Sequence, residues 1–344
     1  DVYLDVLPIY EGGPFGVSFS PTSHEHPIEY AVKMRTLSED SMLPSLLQTS
    51  SVHQGMITAL AHKLADFHST VPPAPSELIA DAFDLVRRNF EENFSQIQEF
   101  MGPDLDQARF SLIHTYADWF LRSNRALFEQ RVENNRIREC HGDLRMEHIC
   151  FEEESIIIFD CIEFNTRFRC IDTAEDLAFL LMDMEFNGYW DEAALLLERY
   201  QARAQDHGMP ALLSFFKCYY AMTRCKVLAI KSTEDEFSQE DQKQSREATR
   251  AYFDLAHAYA LRVEQPVLII MCGLTGSGKS SLAEAMASRI KARVYKSDEI
   301  RKDLAGVSRT EHREEPFGQG LYDQEWTEKT YTSLLELGAE RLKA

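Results

Sequence analysis

Gly273-Leu274-Thr275-Gly276-Ser277-Gly278-Lys279-Ser280 meets every required position of the pattern G-x-x-x-x-G-K-[ST]. It lies between an apolar run that reads as a strand and the helical pattern SSLAEAMASRI. The chemistry such a loop can do is to hold a phosphate chain. Glycines let the backbone curl so that successive N–H groups face phosphate oxygens at a helix N-terminus. Lys279 then reaches the β and γ phosphates, and Ser280 ligates a magnesium ion. The expected nucleotide-binding set is Gly273, Gly276, Ser277, Gly278, Lys279, Ser280 and Ser281, with ATP and Mg2+ as cofactors. An ordinary glycine-rich turn would need none of the fixed positions, so the phosphate reading is preferred.

A second cluster, Cys140-His141-Gly142-Asp143-Leu144-Arg145-Met146-Glu147-His148, follows the polar stretch ENNRIRE and precedes two short strand-like runs. Its spacing parallels the loop H-R-D-x-x-x-x-N, in which Asp takes or orients a hydroxyl proton and Asn holds a metal ion. Asp143 falls at the base position, with His141 beside it in the catalytic set. The metal position, five residues on, is His148, and imidazole is a less usual magnesium ligand than an amide oxygen. Seventeen residues after Asp143 the run IIIFD ends in Asp160, the expected principal metal carboxylate, and Glu163 is a further candidate. HGD alone is weak, since adjoining His and Asp commonly cap helices or sit at the surface. The triple of loop, metal position and Asp160 is what carries the reading. Asp176 is expected to accept backbone N–H bonds from the loop, and Asp172 either to help or simply to cap a helix.

Downstream of the phosphate loop, Arg293 to Tyr295 make a candidate strand leading into Lys296-Ser297-Asp298-Glu299-Ile300-Arg301-Lys302. Asp298 could accept a proton from a substrate hydroxyl, and Arg301, one helical turn later, could clamp an anionic group. A capped helix start with a solvated charge run is the equal alternative.

These residues must be positioned by a chain of 344 residues, enough for two domains. Val2 to Ile9 and Glu29 to Leu37 read as a hairpin around EGGP. Helical period follows from Met56, with Ile57, Leu60, Leu64 and Phe67 on one face until Pro72-Pro73, and again over Ile79 to Ile97 and Phe110 to Phe128. ICFEEESIIIFD is two strands around an acidic turn. Helices resume over Asp172 to Tyr200, Leu212 to Ile230 and Glu247 to Val263, with Lys231 to Arg246 a surface loop or a solvated helix start. PVLIIMC is expected to be a buried parallel strand. The formal charge of −20 opposes polyanions, which excludes nucleic acid and anionic membrane as partners. The longest apolar runs fall short of the ~20 residues that span a bilayer, and the opening DVYLDVLPIY has no basic leader, so a cytoplasmic protein is expected. Seven cysteines without CxxC pairs read as buried, reduced thiols.

GLTGSGKSSLAEAMA followed by YKSDEIRKDLAG resembles the P-loop small-molecule kinases with their zeta-toxin-like, gluconate-kinase-like and polynucleotide-kinase relatives. That resemblance implies acceptor roles for Asp298 and Arg301. CHGDLRMEH and IIIFDCIEFN resemble the aminoglycoside phosphotransferase family of kinase-like folds. The order HGD loop, FDCIEFN, DTAEDLAFL and P-loop segment is similar to the bacterial bifunctional aminoglycoside phosphotransferase/ATP-binding proteins. The implied architecture is α/β and α+β in two domains. A protein-kinase-like domain with an incomplete N-lobe takes residues 1–263, and a P-loop NTPase domain lacking its C-terminal half takes 264–344. The chain is thus expected to be a fragment, without the phosphate lysine's strand or a Walker B carboxylate. Lys33 in AVKM then belongs to the strand entering the interlobe hinge. The implied activity is ATP-dependent phosphoryl transfer to a small-molecule hydroxyl. The alternative is a nucleotide sensor whose kinase-like part is inactive.

Overall fold

The computed structural model describes residues 2–12, 15–20, 26–100, 105–153, 155–261, 269–273, 276–290, 294–308 and 320–341. The chain divides into two units, Asp1–Arg262 and Val263–Ala344.

Unit 1 opens with β1 (Tyr3–Glu11), β2 (Val17–Ser18) and β3 (Glu29–Met34), an antiparallel sheet in the order β2-β1-β3. Exposed Lys33 stands in register with Asp5. Arg35, just past β3, pairs with Glu152 at 2.5 Å and ties the sheet to a hairpin described below.

Helices follow. α1 (Leu43–Gln48) carries Pro44 in its first turn, where the missing N–H costs nothing. α2 (Gln54–Thr70) stops before Pro72-Pro73 as expected, but its buried stripe runs Ile57, Leu60, Leu64, His68, and Phe67 is only half-buried. The single helix expected over 79–97 is two, α3 (Ser76–Ala80) and α4 (Ala82–Gln98), broken at Asp81. The one expected over 110–128 is α5 (Gln107–Ser123) and α6 (Arg125–Glu133). Asp106 caps α5 by accepting the Arg109 N–H at 2.8 Å, and Asn124 interrupts the run by turning its side chain back onto the Phe120 carbonyl. The apolar faces converge on aromatic rings. Phe90 stacks on Phe94 at 4.5 Å and Phe120 on Phe215 at 4.8 Å. Truncating a buried ring such as Phe215 would cost about 3–5 kcal/mol.

The centre of unit 1 is built from short strands. β4 (Ile137–Glu139) pairs antiparallel with β7 (Cys170–Asp172), and β5 (Ile149–Phe151) with β6 (Ile156–Ile158). The second pair is the expected hairpin around an acidic turn. The first joins segments about 30 residues apart and gives no local signal. α7 (Thr166–Arg169) lies before β7. Then come α8 (Thr173–Phe186) and α9 (Trp190–Ala204), separated at Gly188, whose φ of 88° lets the chain turn. α10 (Pro210–Lys231) packs on α8 and on α11 (Gln239–Leu261), and α2 packs on α9. The charged stretch 231–246 is half connection and half helix, because α11 starts at Gln239.

In unit 2, α12 (Lys279–Ile290) is helical as patterned, and α13 (Ser297–Leu304) and α14 (Gln324–Arg341) are helices as well. Of the expected buried strand, Ile269 to Cys272 are irregular, with Ile269 and Ile270 exposed, and Pro266 to Leu268 lie outside the described residues. The candidate strand before Lys296 likewise fails at Val294 and Tyr295, and Arg293 lies outside the described residues. A parallel strand needs a neighbouring ladder, and no strand occurs among the described residues of this unit. Five cysteines are buried as expected, while Cys161 and Cys272 are exposed. Among the described residues, no helix is long and apolar enough to cross a membrane.

Candidate functional site

The HGD loop leaves β4 at Cys140 and is held from two sides. Asp176, fully buried on α8, accepts the His141 N–H at 3.1 Å on Oδ2 and the Gly142 N–H at 2.8 Å on Oδ1. Burial pushes this carboxyl up, but the hydrogen bond from His68 and the Gly142 amide outweigh it and hold it below the usual carboxylate range. On the other side the loop is zipped to residues 159–162. The Ile162 N–H reaches the His141 carbonyl at 2.9 Å, and the Phe159 N–H reaches the His148 carbonyl at 3.1 Å. His141 Nε2 donates to the Phe159 carbonyl at 2.8 Å, and its Nδ1 accepts the Asp143 N–H at 3.3 Å. Both ring nitrogens are thereby used, and burial pushes the imidazole's pKa down, which favours the neutral ring. His141 is a scaffold for the loop.

Gly142 is required by its backbone. Its φ is 83°, and a Cβ there would stand 2.6 Å from the Phe168 carbonyl oxygen.

Asp143 points out of this scaffold. Arg145 grips both its oxygens, Nε to Oδ1 and Nη2 to Oδ2, each at 2.9 Å, and also pairs with Glu147. His148 donates Nδ1–H to the Asp143 carbonyl at 2.8 Å and turns Nε2 toward Asp160 Oδ2 at 3.4 Å. Asp160 lies two residues beyond β6 rather than at its end. It is a non-glycine residue with φ 64°, its N–H hydrogen-bonded to the Tyr3 hydroxyl at 2.9 Å. Backbone in that region is tolerated by aspartate and concentrates at functional positions. Glu163 is exposed and lines a cleft with His62, Glu139, Cys140 and Phe159. Asp143, His148 and Asp160 are thus brought together. As a test of fit, the 3.4 Å between His148 Nε2 and Asp160 Oδ2 is close to the separation of neighbouring ligands on one ion held at ~2.1 Å.

Five contributors went unnoticed in the sequence. His68 on α2 donates Nε2–H to Asp176 at 2.9 Å, and the Tyr200 hydroxyl on α9 meets its Nδ1 at 2.7 Å. His68 stands four residues after Leu64 on the buried stripe, which is the signal that could have found it. Arg131 forks onto both oxygens of Asp172, at 2.8 and 2.6 Å, and pairs with Asp206, all three being buried. Asp172 also caps α8 through the Ala174 N–H at 2.7 Å. Arg145 is the fifth. His68, Cys140 and Asp176 bring donor atoms within 4.8 Å of one another. Both imidazole nitrogens and both carboxylate oxygens there are already hydrogen-bonded, and burial raises the thiol, so the group works as a brace.

In unit 2, Gly273, Gly276 and Gly278 have φ of 151°, 79° and 80°, and α12 begins at Lys279. This is the curled backbone that a phosphate loop requires. Lys279 Nζ lies 3.3 Å from Ser277 Oγ, while Ser280 and Ser281 are exposed in the first turn. Leu274 and Thr275 lie outside the described residues. An AAA-domain family model matches residues 268–344. The C-terminal segment is a P-loop AAA domain. Asp298 is in the first turn of α13, rather than at a strand end. It accepts the Tyr322 hydroxyl at 2.9 Å and pairs with Lys302 at 3.1 Å. Burial pushes Asp298 up, but Lys302, Tyr322 and Arg301 together bring it below its usual range. Arg301 stacks over the Tyr322 ring at 4.7 Å. Lys296 reaches Glu284 at 2.5 Å and ties α13 to the helix of the phosphate loop.

Across the longer chain, similarity extends to an uncharacterized protein of Mycobacterium bovis and to counterparts in two strains of Mycobacterium tuberculosis. Each is 28% identical over 285 residues, 82% of this chain and 54% of the relative. The chain spans about half the length of the curated relatives it matches.

Proposed function

We propose that unit 1 is an ATP-dependent phosphotransferase of the aminoglycoside phosphotransferase-like kind, acting on a small-molecule hydroxyl, and that the AAA domain is a second nucleotide-binding kinase module. The observation that supports this best is the meeting of Asp143, His148 and Asp160 on a loop whose backbone is held by Asp176. Asp143 orients the acceptor hydroxyl and takes its proton. Asp160 and His148 would hold a divalent ion, Mg2+ in the usual case, which supplies neutralising charge beside the transferred phosphate. Asp176, His68 and His141 keep the loop in place. In the AAA domain the phosphate-loop amides and Lys279 bind the phosphate chain, Ser280 would ligate the ion there, and Asp298 and Arg301 would meet the acceptor. The net charge of −20 suits a small neutral or cationic acceptor better than a nucleic acid or an anionic membrane.

A second reading, a nucleotide sensor, draws on the Arg145 fork that occupies both oxygens of Asp143. Phosphoryl transfer from labelled ATP to a panel of small alcohols, measured in Lys279→Ala protein to weaken the other site, separates the two. Asp143→Asn should leave nucleotide binding nearly intact and cut the rate by ~10²–10⁴. Asp160→Asn should weaken both. Transfer that ignores Asp143→Asn, or is undetectable in the parent, favours the sensor.

A further inference from the structure

Asp298, Arg301 and Lys302 stand three and four residues apart on α13 and so share one face of it. A single side chain from another part of the unit covers that face. Tyr322 ends the short 3-10 turn Gly320–Tyr322 and donates its hydroxyl to Asp298 Oδ1 at 2.9 Å. The same ring lies over the Arg301 guanidinium at 4.7 Å, while Lys302 meets the other carboxylate oxygen, Oδ2, at 3.1 Å. The hydrogen bond to Asp298 pushes the phenol's pKa up, so it stays a protonated donor at neutral pH. Ring and guanidinium are in contact at that separation, with no layer between them for a ligand. The ring covers Arg301 without satisfying it. Nε of Arg301 is buried and has no hydrogen-bond partner among the described residues, and the face of a ring is a weaker acceptor than oxygen. A buried donor left unmet is costly, and such groups are found where a ligand completes the site.

We infer that Tyr322 is an autoinhibitory latch on the acceptor side of the AAA domain. Its hydroxyl holds the place at Asp298 that an acceptor hydroxyl needs, and its ring closes one face of Arg301. Both are released when the 320–322 turn swings away. The inference rests on the reading of Asp298 and Arg301 as acceptor residues and adds their regulation. A phenol presents to a carboxylate the same O–H donor that a substrate alcohol does, so the two compete for one position. Competition of this kind lowers the fraction of molecules ready to take the acceptor, and apparent affinity falls by that fraction. A water molecule attacking ATP would use the same carboxylate as its proton acceptor, so the latch also restrains hydrolysis.

The test uses the full chain carrying Asp160→Asn, which weakens the site in unit 1, with ATP as the probe and water as the acceptor. Phosphate release and the binding of a fluorescent ATP analogue are compared before and after Tyr322→Phe, which removes the hydroxyl and keeps the ring. Hydrolysis is expected to rise roughly threefold to tenfold, the scale of one partly exposed hydrogen bond, with nucleotide affinity unchanged. Adding Asp298→Asn to Tyr322→Phe should abolish the gain, which a merely loosened fold would not do. Hydrolysis that is unchanged, lower or undetectable after Tyr322→Phe, while ATP binding still depends on Lys279, would overturn the latch and leave the nucleotide-binding reading standing. A gain that survives Asp298→Asn would remove Asp298 from the acceptor side and the latch with it.

Discussion

Arg145 Nε and Nη2 each stand 2.9 Å from a different oxygen of Asp143, so one planar fork sets the direction of the carboxylate at the centre of the site. A guanidinium fits that task and an ammonium does not, because only the fork can hold both oxygens in one plane. Arg145→Met is expected to lower kcat by about tenfold to a hundredfold with little change in KM, the scale of a misplaced reacting group. Arg145→Lys should recover only part of the loss. Steady-state transfer assays check this, and an Arg145→Met rate at or above the parent's would show that the fork restrains Asp143 instead of orienting it.

Gly142 and Gly188 offer a matched pair. Both have positive φ, 83° and 88°, but a Cβ on Gly142 would meet the Phe168 carbonyl at 2.6 Å, and one on Gly188 would meet nothing within 4 Å. Alanine at either position carries the backbone strain of about 1–2 kcal/mol, and only at Gly142 must the 162–168 segment also move. Gly188→Ala should therefore unfold slightly earlier in urea and keep its activity. Gly142→Ala should lose more stability and nearly all transfer. Equal losses for the two would mean that the contact with Phe168 is immaterial.

What could be read from the sequence depended on how local the determinant was. The phosphate loop is eight consecutive residues, and its glycine dihedrals and helix start are where the spacing put them. Asp176 could be assigned to the HGD loop because it opens a buried helix, where a carboxylate can accept the loop's N–H groups. His68 and Tyr200 could not be paired with it, since they lie 108 and 132 residues from the partners they meet, and only packing of α2 on α9 unites them. The described part of the apolar run ahead of Gly273, Ile269 to Cys272, departs in the opposite way. Its composition satisfied a strand, but a strand also requires a ladder partner, which composition cannot supply.

Arg131, Asp172 and Asp206 form a buried ion cluster that pins the β7–α8 junction, and hence Asp176. Removing one member leaves the others charged and out of water. Arg131→Met should cost about 3–5 kcal/mol, the usual penalty for breaking a buried pair from one side. Arg131→Met combined with Asp172→Asn and Asp206→Asn should recover part of the stability by removing the orphaned charges. Urea unfolding of the two proteins checks the order. A single variant as stable as the parent would mean that water reaches the cluster.

Glu175, fully buried in the first turn of α8, faces a different constraint. Burial first, and then the charges of Asp172 and Asp176, push its carboxyl up to about 8, against a hydrogen bond from Tyr220 that acts the other way. The native protein therefore holds this proton at neutral pH, while the unfolded chain releases it near pH 4.5. Between those two values folding takes up a proton, so this group's contribution to stability falls as pH rises from about 4.5 and levels off above about 8. The depressed carboxylate of Asp176 acts with the opposite sign, but only at acid pH; His141, pushed down by burial, and Asp183, pushed up by it, are common to parent and variant, so the difference between the two from about pH 5.5 to about pH 8 isolates Glu175. Glu175→Gln keeps the shape and cannot ionise. Over that window it should remove roughly a few kcal/mol of the parent's pH-dependent loss, since one proton bound on folding is worth about 1.4 kcal/mol for every pH step of one. Urea unfolding of both proteins at the two pH values measures the difference. Parallel slopes would show that Glu175 is ionised in the folded protein, and the account of α8 as a helix that buries a neutral acid beside two charged ones would have to be abandoned.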